Sequence, residues 1–152
     1  MPLKSFDTII VPLDGSEGGY RALRHAVELA QAADLKLHLL HVFPVGSTEL
    51  MDLLHYPEIA KAKAEGELRR AREDEAVKIF PSAREMVPPD VTVEEVTLSG
   101  DVDVEILNYA QSHPEAMIVM GTKGHSQVTD VLLGSVANKV VHRARCPVTV
   151  VH

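Results

Sequence analysis

The stretch DTIIVPLDGS, residues 7–16, carries the reading of the whole fold. DTIIVPLD is apolar and β-branched, without the polar alternation of a half-exposed strand. It predicts a buried strand running into an Asp-Gly-Ser turn. Ser16 is a good helix N-cap, with Glu17 behind it to complement the helix dipole. A helix follows, whose apolar face is Ala22, Leu23, Ala26, Val27, Leu29 and Ala30.

The same alternation continues outward. LKLHLLHVF, residues 35–43, predicts a second strand, and residues 44–57, with Pro44, Gly46 and Pro57, predict a loop. From Glu58 to about Ile79 the chain is rich in Ala, Glu, Lys and Arg and predicts a long, solvated outer helix. Pro81, Pro88 and Pro89 are expected to break it up. Residues 91–100 predict a third strand, followed by a short helix with Val104, Ile106, Leu107 and Ala110 inward. AMIVMG, residues 116–121, predicts a fourth, fully buried strand. Residues 134–145 predict a helix with Val136, Ala137, Val140, Val141 and Ala144 on one side, and PVTVVH closes the chain as a fifth strand. Strands alternating with helices, several apolar on both faces, argue for a covered parallel sheet. Right-handed crossovers leave a single 1–152 domain: an α/β three-layer sandwich with a Rossmann-like five-stranded parallel sheet in the order 3-2-1-4-5.

Composition narrows the function. The one cysteine, Cys146, leaves no internal disulfide, which fits a reducing compartment. No apolar run approaches the ~18 residues of a membrane span, and the start lacks the apolar stretch of a secretion signal. A cytoplasmic protein without a membrane partner is expected. The net charge is −7, yet residues 121–152 hold Lys123, Lys139, Arg143 and Arg145 against Asp130 alone, which is +3 and leaves −10 elsewhere. An acidic body argues against nucleic-acid binding, and a basic last quarter suits a small anion.

Open parallel sheets bind ligands beyond the carboxyl ends of their strands, where the strand order reverses. There the sequence places GTKGHSQVTDVLLGS, residues 121–135. Gly121, directly after a strand, is expected to turn with positive φ and admit a ligand closely. With Gly124 it would form an anion nest, and Gly134-Ser135 would open a helix whose first N–H groups bind phosphate. The two ends of the loop would then hold one polyphosphate. Lys123, inside the loop, could meet a phosphate or simply be solvated, and Asp14 is expected near the switch point. No Walker A or dinucleotide fingerprint is present. His38 and His41 face opposite sides of a strand, so no zinc site is expected.

The spacing G-x2-G-x9-G-S resembles the ATP-binding motif of universal stress proteins. IIVPLDGSEGGYRAL, LSGDVDVEILNYA and LLGSVANKVVHRARCPVTVV are similar to the opening, middle and C-terminal stretches of that family, leaving residues 44–90 as the dissimilar segment. The resemblance implies that Asp14, after Pro12, meets the adenosine moiety. It implies that the Val42 backbone reads the adenine edge, and that Met120 and Gly121 line the ribose and phosphate side. Gly124, Gly134, Ser135 and Val136 match the phosphate cradle. ATP, with Mg2+ held mainly by phosphates, is the implied cofactor, and a homodimer through strand 147–152 the implied assembly.

A regulatory nucleotide-binding protein is therefore expected. Hydrolysis would need a group to orient water at the γ-phosphate, for which Gln127 and Asp130 are the only candidates, so turnover is at most slow and no catalytic residue is assigned. A nucleotide-independent interaction module is the alternative. A phospho-receiver fits poorly, because a single Asp14 precedes Gly15 and strand three ends in Ser99-Gly100.

Overall fold

The computed structural model describes residues 5–45, 55, 57–123 and 133–152. In chain order the elements are β1 Thr8–Pro12, α1 Glu17–Ala33, β2 Lys36–Pro44, α2 Glu58–Glu85, β3 Val93–Gly100, α3 Val102–Gln111, β4 Ala116–Gly121, α4 Ser135–Arg143 and β5 Val148–Val151. The strands form one sheet, ordered β3-β2-β1-β4-β5, and every pairing is parallel. This is the expected α/β architecture with order 3-2-1-4-5.

The central strands lack polar alternation because both faces are covered. Ile9, Val11, Leu37, Leu39 and Val119 pack toward α1 and the end of α2. Ile10, Leu40, Val42, Ile118 and Met120 pack toward α3 and α4. Each side chain of this size contributes about 1.5–3 kcal/mol on burial. Helix α1 begins as its sequence predicts: the Ser16 hydroxyl accepts the Gly19 N–H at 3.3 Å. Asp34, at φ 55°, ends it with a left-handed residue whose N–H returns to the Ala30 carbonyl.

Three expectations need correction. Pro81 does not break the outer helix, which runs through it to Glu85. Pro81 removes the bond that the Val77 carbonyl would accept, at a turn where Val77 is 70% exposed and solvent can reach the backbone. Ile79, Phe80 and Ala83 are buried and hold the helix to the sheet. Pro88 and Pro89 lie beyond its end. Val104 and Val141 do not face inward but are 39% and 41% exposed. In α3 the buried arc is Asp103, Ile106 and Ala110, and Val104 sits about 200° round the helix from Ile106. Asp103 turns inward to meet Arg143 of α4 at 3.7 Å, a cross-helix pair that hydrophobic patterning overlooks. Most of the predicted 44–57 loop lies outside the described residues.

His38 and His41 do face opposite sides of β2. His38 is buried against α3, with Nδ1 2.8 Å from the Tyr109 hydroxyl and Nε2 3.3 Å from a Glu94 carboxylate oxygen. A carboxylate only accepts, so the neutral ring carries its proton on Nε2 and accepts the Tyr109 O–H at Nδ1. Burial pushes His38 below its ordinary value of 6.5, outweighing the opposing pull of Glu94. Glu94 is 62% exposed, and solvent screens its charge. Well above pH 6.5 the ring is neutral whether the chain is folded or not. Below it, the unfolded chain takes up a proton that the folded one resists, so stability falls with pH through the lower, folded value. Urea unfolding at pH 7.5 and 5.5 should show this loss, and His38→Gln should show less of it. Equal losses would refute the assignment.

Candidate functional site

Strand β1 pairs with β2 as far as Pro12–Leu40, but with β4 only as far as Ile10–Ile118. The cause is legible in Pro12. The Leu13 N–H points to β2 and donates to the Leu40 carbonyl at 2.8 Å. Backbone groups alternate sides along a strand, so the nitrogen of Pro12 faces β4 and has no hydrogen to give it. The two middle strands separate there, at the topological switch point, and a crevice opens.

Asp14 stands on its edge. Gly15, at φ 85°, makes the turn that follows. The Asp14 Oδ1 accepts the Ser16 N–H at 3.0 Å and also the Ser16 hydroxyl. Ser16 in turn accepts from Gly19, so the first turn of α1 orients the carboxylate.

Gly121 does not turn as expected: among the described glycines, positive φ occurs at Gly15 and Gly100. What Gly121 supplies is closeness. A Cβ there would stand 2.7 Å from the Gly18 carbonyl oxygen, and a Cβ on Gly18 would stand 2.8 Å from the Lys123 carbonyl oxygen. The start of α1 and the end of β4 thus meet backbone to backbone. Sequence reading overlooked Gly18, although a glycine in a first helical turn is an unfavourable choice that this crowding explains.

The loop ends also meet. The Gly134 N–H donates to the Thr122 carbonyl at 2.6 Å, and the Thr122 N–H to the Val151 carbonyl at 3.2 Å. Gly134 is therefore the extended N-cap of α4, with its own N–H spent. Ser135 is the first helical residue rather than the cap. The first-turn N–H groups of Ser135, Val136 and Ala137 have no partner within the helix and point out of its N-terminus. Gly124, His125, Gln127 and Asp130 lie outside the described residues.

These features surround one cavity of about 380 Å3. Pro12, Asp14, Val42, Met120, Gly121, Lys123, Gly134, Ser135 and Val136 all line it, so every described residue of the expected set is brought together. The lining divides by chemistry. On the β2 side Leu40, Val42 and Pro44, with Val102 and Ile106 from α3, make an apolar slot. On the β4 side stand Gly121, Lys123, Gly134 and Ser135, with Asp14 and Ser16 completing the polar rim. The α3 residues carried no sequence signal beyond being apolar. The volume falls within the ~300–1,000 Å3 range of small-molecule sites. A flat apolar ring suits one end, and an anion the helix N-terminus at the other. Among the described residues no group of three or more His, Cys, Asp or Glu is placed to hold a metal ion, and no helix is long and apolar enough to cross a membrane.

The universal stress protein family model matches residues 5–152. The chain belongs to the universal stress protein family. Universal stress protein YxiE of Bacillus subtilis is 33% identical over 150 residues, covering 96% of this chain and 99% of that one. Universal stress protein MJ0531 of Methanocaldococcus jannaschii is 30% identical, covering 96% and 82%. Among solved structures, MJ0577 superposes with a TM-score of 0.73 at 24% identity, covering 96% of this chain and 95% of that one. A universal stress protein in complex with cAMP gives 0.60 at 24% identity, covering 97% and 98%. One from Archaeoglobus fulgidus in complex with dAMP gives 0.59 at 21% identity, covering 99% and 100%. The family's fold is the one described above.

Proposed function

We propose that this universal stress protein binds an adenine nucleotide, ATP foremost, in the switch-point cavity, as a cytoplasmic regulator in the stress response. The observation that carries the reading is the two-ended cavity: an apolar slot against β2, and a helix N-terminus with Lys123 against β4. The nucleoside lies in the slot, with the Val42 backbone at the base edge and Asp14 accepting from a ribose hydroxyl. The phosphates lie toward Gly121, Lys123 and the first turn of α4, where Gly124 would close the cradle. Mg2+ would be held mainly by the phosphates themselves. The cAMP and dAMP complexes of family members of the same fold suit this reading.

Equilibrium titration with ATP tests it, alongside mass spectrometry of small molecules released from the purified, denatured protein. Binding below millimolar ATP is expected. No binding at millimolar concentration would end the proposal and leave an interaction module.

A homodimer through β5 belongs to the same reading. Its residues Val148, Thr149, Val150 and Val151 are half-buried, and β4 pairs with only one side of the strand. An apolar sheet edge invites a second strand. A twofold axis there pairs β5 with itself antiparallel. Val150→Lys should give a monomer in light scattering; a dimer that persists would refute this interface.

A further inference from the structure

The point where β1 leaves β2 has an unusual partner for one carbonyl. In a parallel ladder the Leu13 N–H donates to the Leu40 carbonyl, and the next bond would run from the Val42 N–H to the Leu13 carbonyl. The first of these bonds is present at 2.8 Å. For the second, a side chain intervenes: His41 Nδ1 stands 2.8 Å from the Leu13 carbonyl oxygen. His41 is only 3% exposed. Its Nε2 lies 3.1 Å from the Glu75 carboxylate on α2, which is 48% exposed. Both partners are acceptors, so the ring nitrogen that faces the Leu13 carbonyl bonds it through its N–H.

From this geometry we infer that His41 is a positioning residue that sets base selectivity. It draws the Leu13 carbonyl out of line with β2. The N–H and C=O of Val42, which point toward the end of β1, are then left to the cavity that Val42 lines. An N–H beside a C=O matches the edge of a base that offers one ring acceptor and one exocyclic amine, as adenine does. It mismatches a base with a ring N–H and a carbonyl at those places. The apolar residues around it offer no competing polar contact. Glu75 holds the ring in that orientation from α2, so the outer helix bears on the site without touching the ligand. The inference rests on the nucleotide reading above and goes further, by naming what keeps the base-reading edge open.

The probe pair is ATP and inosine triphosphate, which share ribose and phosphates and differ at the base edge. The full-length chain is titrated with each, with a melting curve recorded for every variant. The wild type should favour ATP by about tenfold or more, as expected for two buried hydrogen bonds made or reversed. His41→Leu keeps the volume but releases the Leu13 carbonyl to Val42, and the preference should collapse to about twofold, with inosine triphosphate affinity little changed. Glu75→Ala, at the surface, should lower the ratio about threefold, and Glu75→Gln, which can still bond the ring, should restore it. A role in stability alone would lower the melting temperature and leave the ratio intact. A folded His41→Leu chain with the wild-type ratio overturns the inference. Should that variant not fold, Glu75→Ala decides in the same way. A wild type that binds neither triphosphate overturns the nucleotide reading itself; one that binds both equally overturns only the role of His41.

Discussion

Replacing Gly121 by alanine should lower the melting temperature by roughly 3–10 °C and weaken nucleotide binding in the same variant. The added Cβ would stand 2.7 Å from the Gly18 carbonyl oxygen and 2.8 Å from its carbon. Neither is the end of a flexible side chain. Both belong to the first turn of α1, which is held by the Ser16 cap and packed through Ala22 and Leu23. Relief therefore requires the helix or β4 to move, an overpacking penalty of about 1–3 kcal/mol. The same movement separates Asp14 and Ser16, at the helix start, from Gly121 and Lys123, at the strand end, so site and stability fall together. Gly18→Ala meets the Lys123 carbonyl at 2.8 Å and should behave alike. Gly66 is the control. It lies within α2, and a Cβ there has nothing within 4 Å. Gly66→Ala should stabilise the chain by about 0.5–1 kcal/mol, because it removes backbone freedom from the unfolded state at no steric cost. Differential scanning calorimetry on the three variants decides the matter. A Gly121→Ala protein as stable as wild type would mean that the backbone contact is relaxed in solution.

Ser135→Asp should separate stability from binding. Ser135 is an exposed first residue of α4, and that helix has no acidic side chain in its first turn. An aspartate there complements the helix dipole and should add about 0.3–1 kcal/mol. The same carboxylate stands where the proposed phosphates lie. A like-charge contact at about 4 Å costs roughly 4 kcal/mol per pair near a protein surface, so ATP affinity should fall at least about 100-fold. Adenosine carries no phosphate and should bind the variant as it binds wild type. Calorimetric titration with both ligands reads the difference. ATP binding that survives unchanged would place the phosphates elsewhere.

Much of this was legible in short-range pattern. Ile9, Ile10 and Val11 are apolar without alternation because consecutive side chains enter different cores, and with helices alternating along the chain that pattern points to a covered parallel strand. The cap at Ser16 is a local signal with a local cause. The strand ends that meet at the cavity were also legible, because the switch point of such a sheet brings them together, whereas Val102 and Ile106 of α3 were not.

The reasons behind some of those residues were not local. Gly121 was read as a turn and is a contact, since the crowding atom belongs to Gly18, more than a hundred positions away in the chain. Pro81 was read as a break, yet the helix runs through it, since Val77, which loses a bond, is exposed while Ile79 and Phe80 are held in the core. Val104 faces outward and Asp103 inward because a ten-residue helix fixes its rotation by what it packs against. His41 could be seen in the sequence only as a histidine on a strand, and its partners come from the end of β1 and from α2. The sequence by itself determined which elements form and in what order, because propensity, capping and burial period act over a few residues. The tertiary structure decided which backbone groups are consumed and which are left to a ligand, because a hydrogen bond or a van der Waals contact belongs to whichever atoms the fold brings within reach.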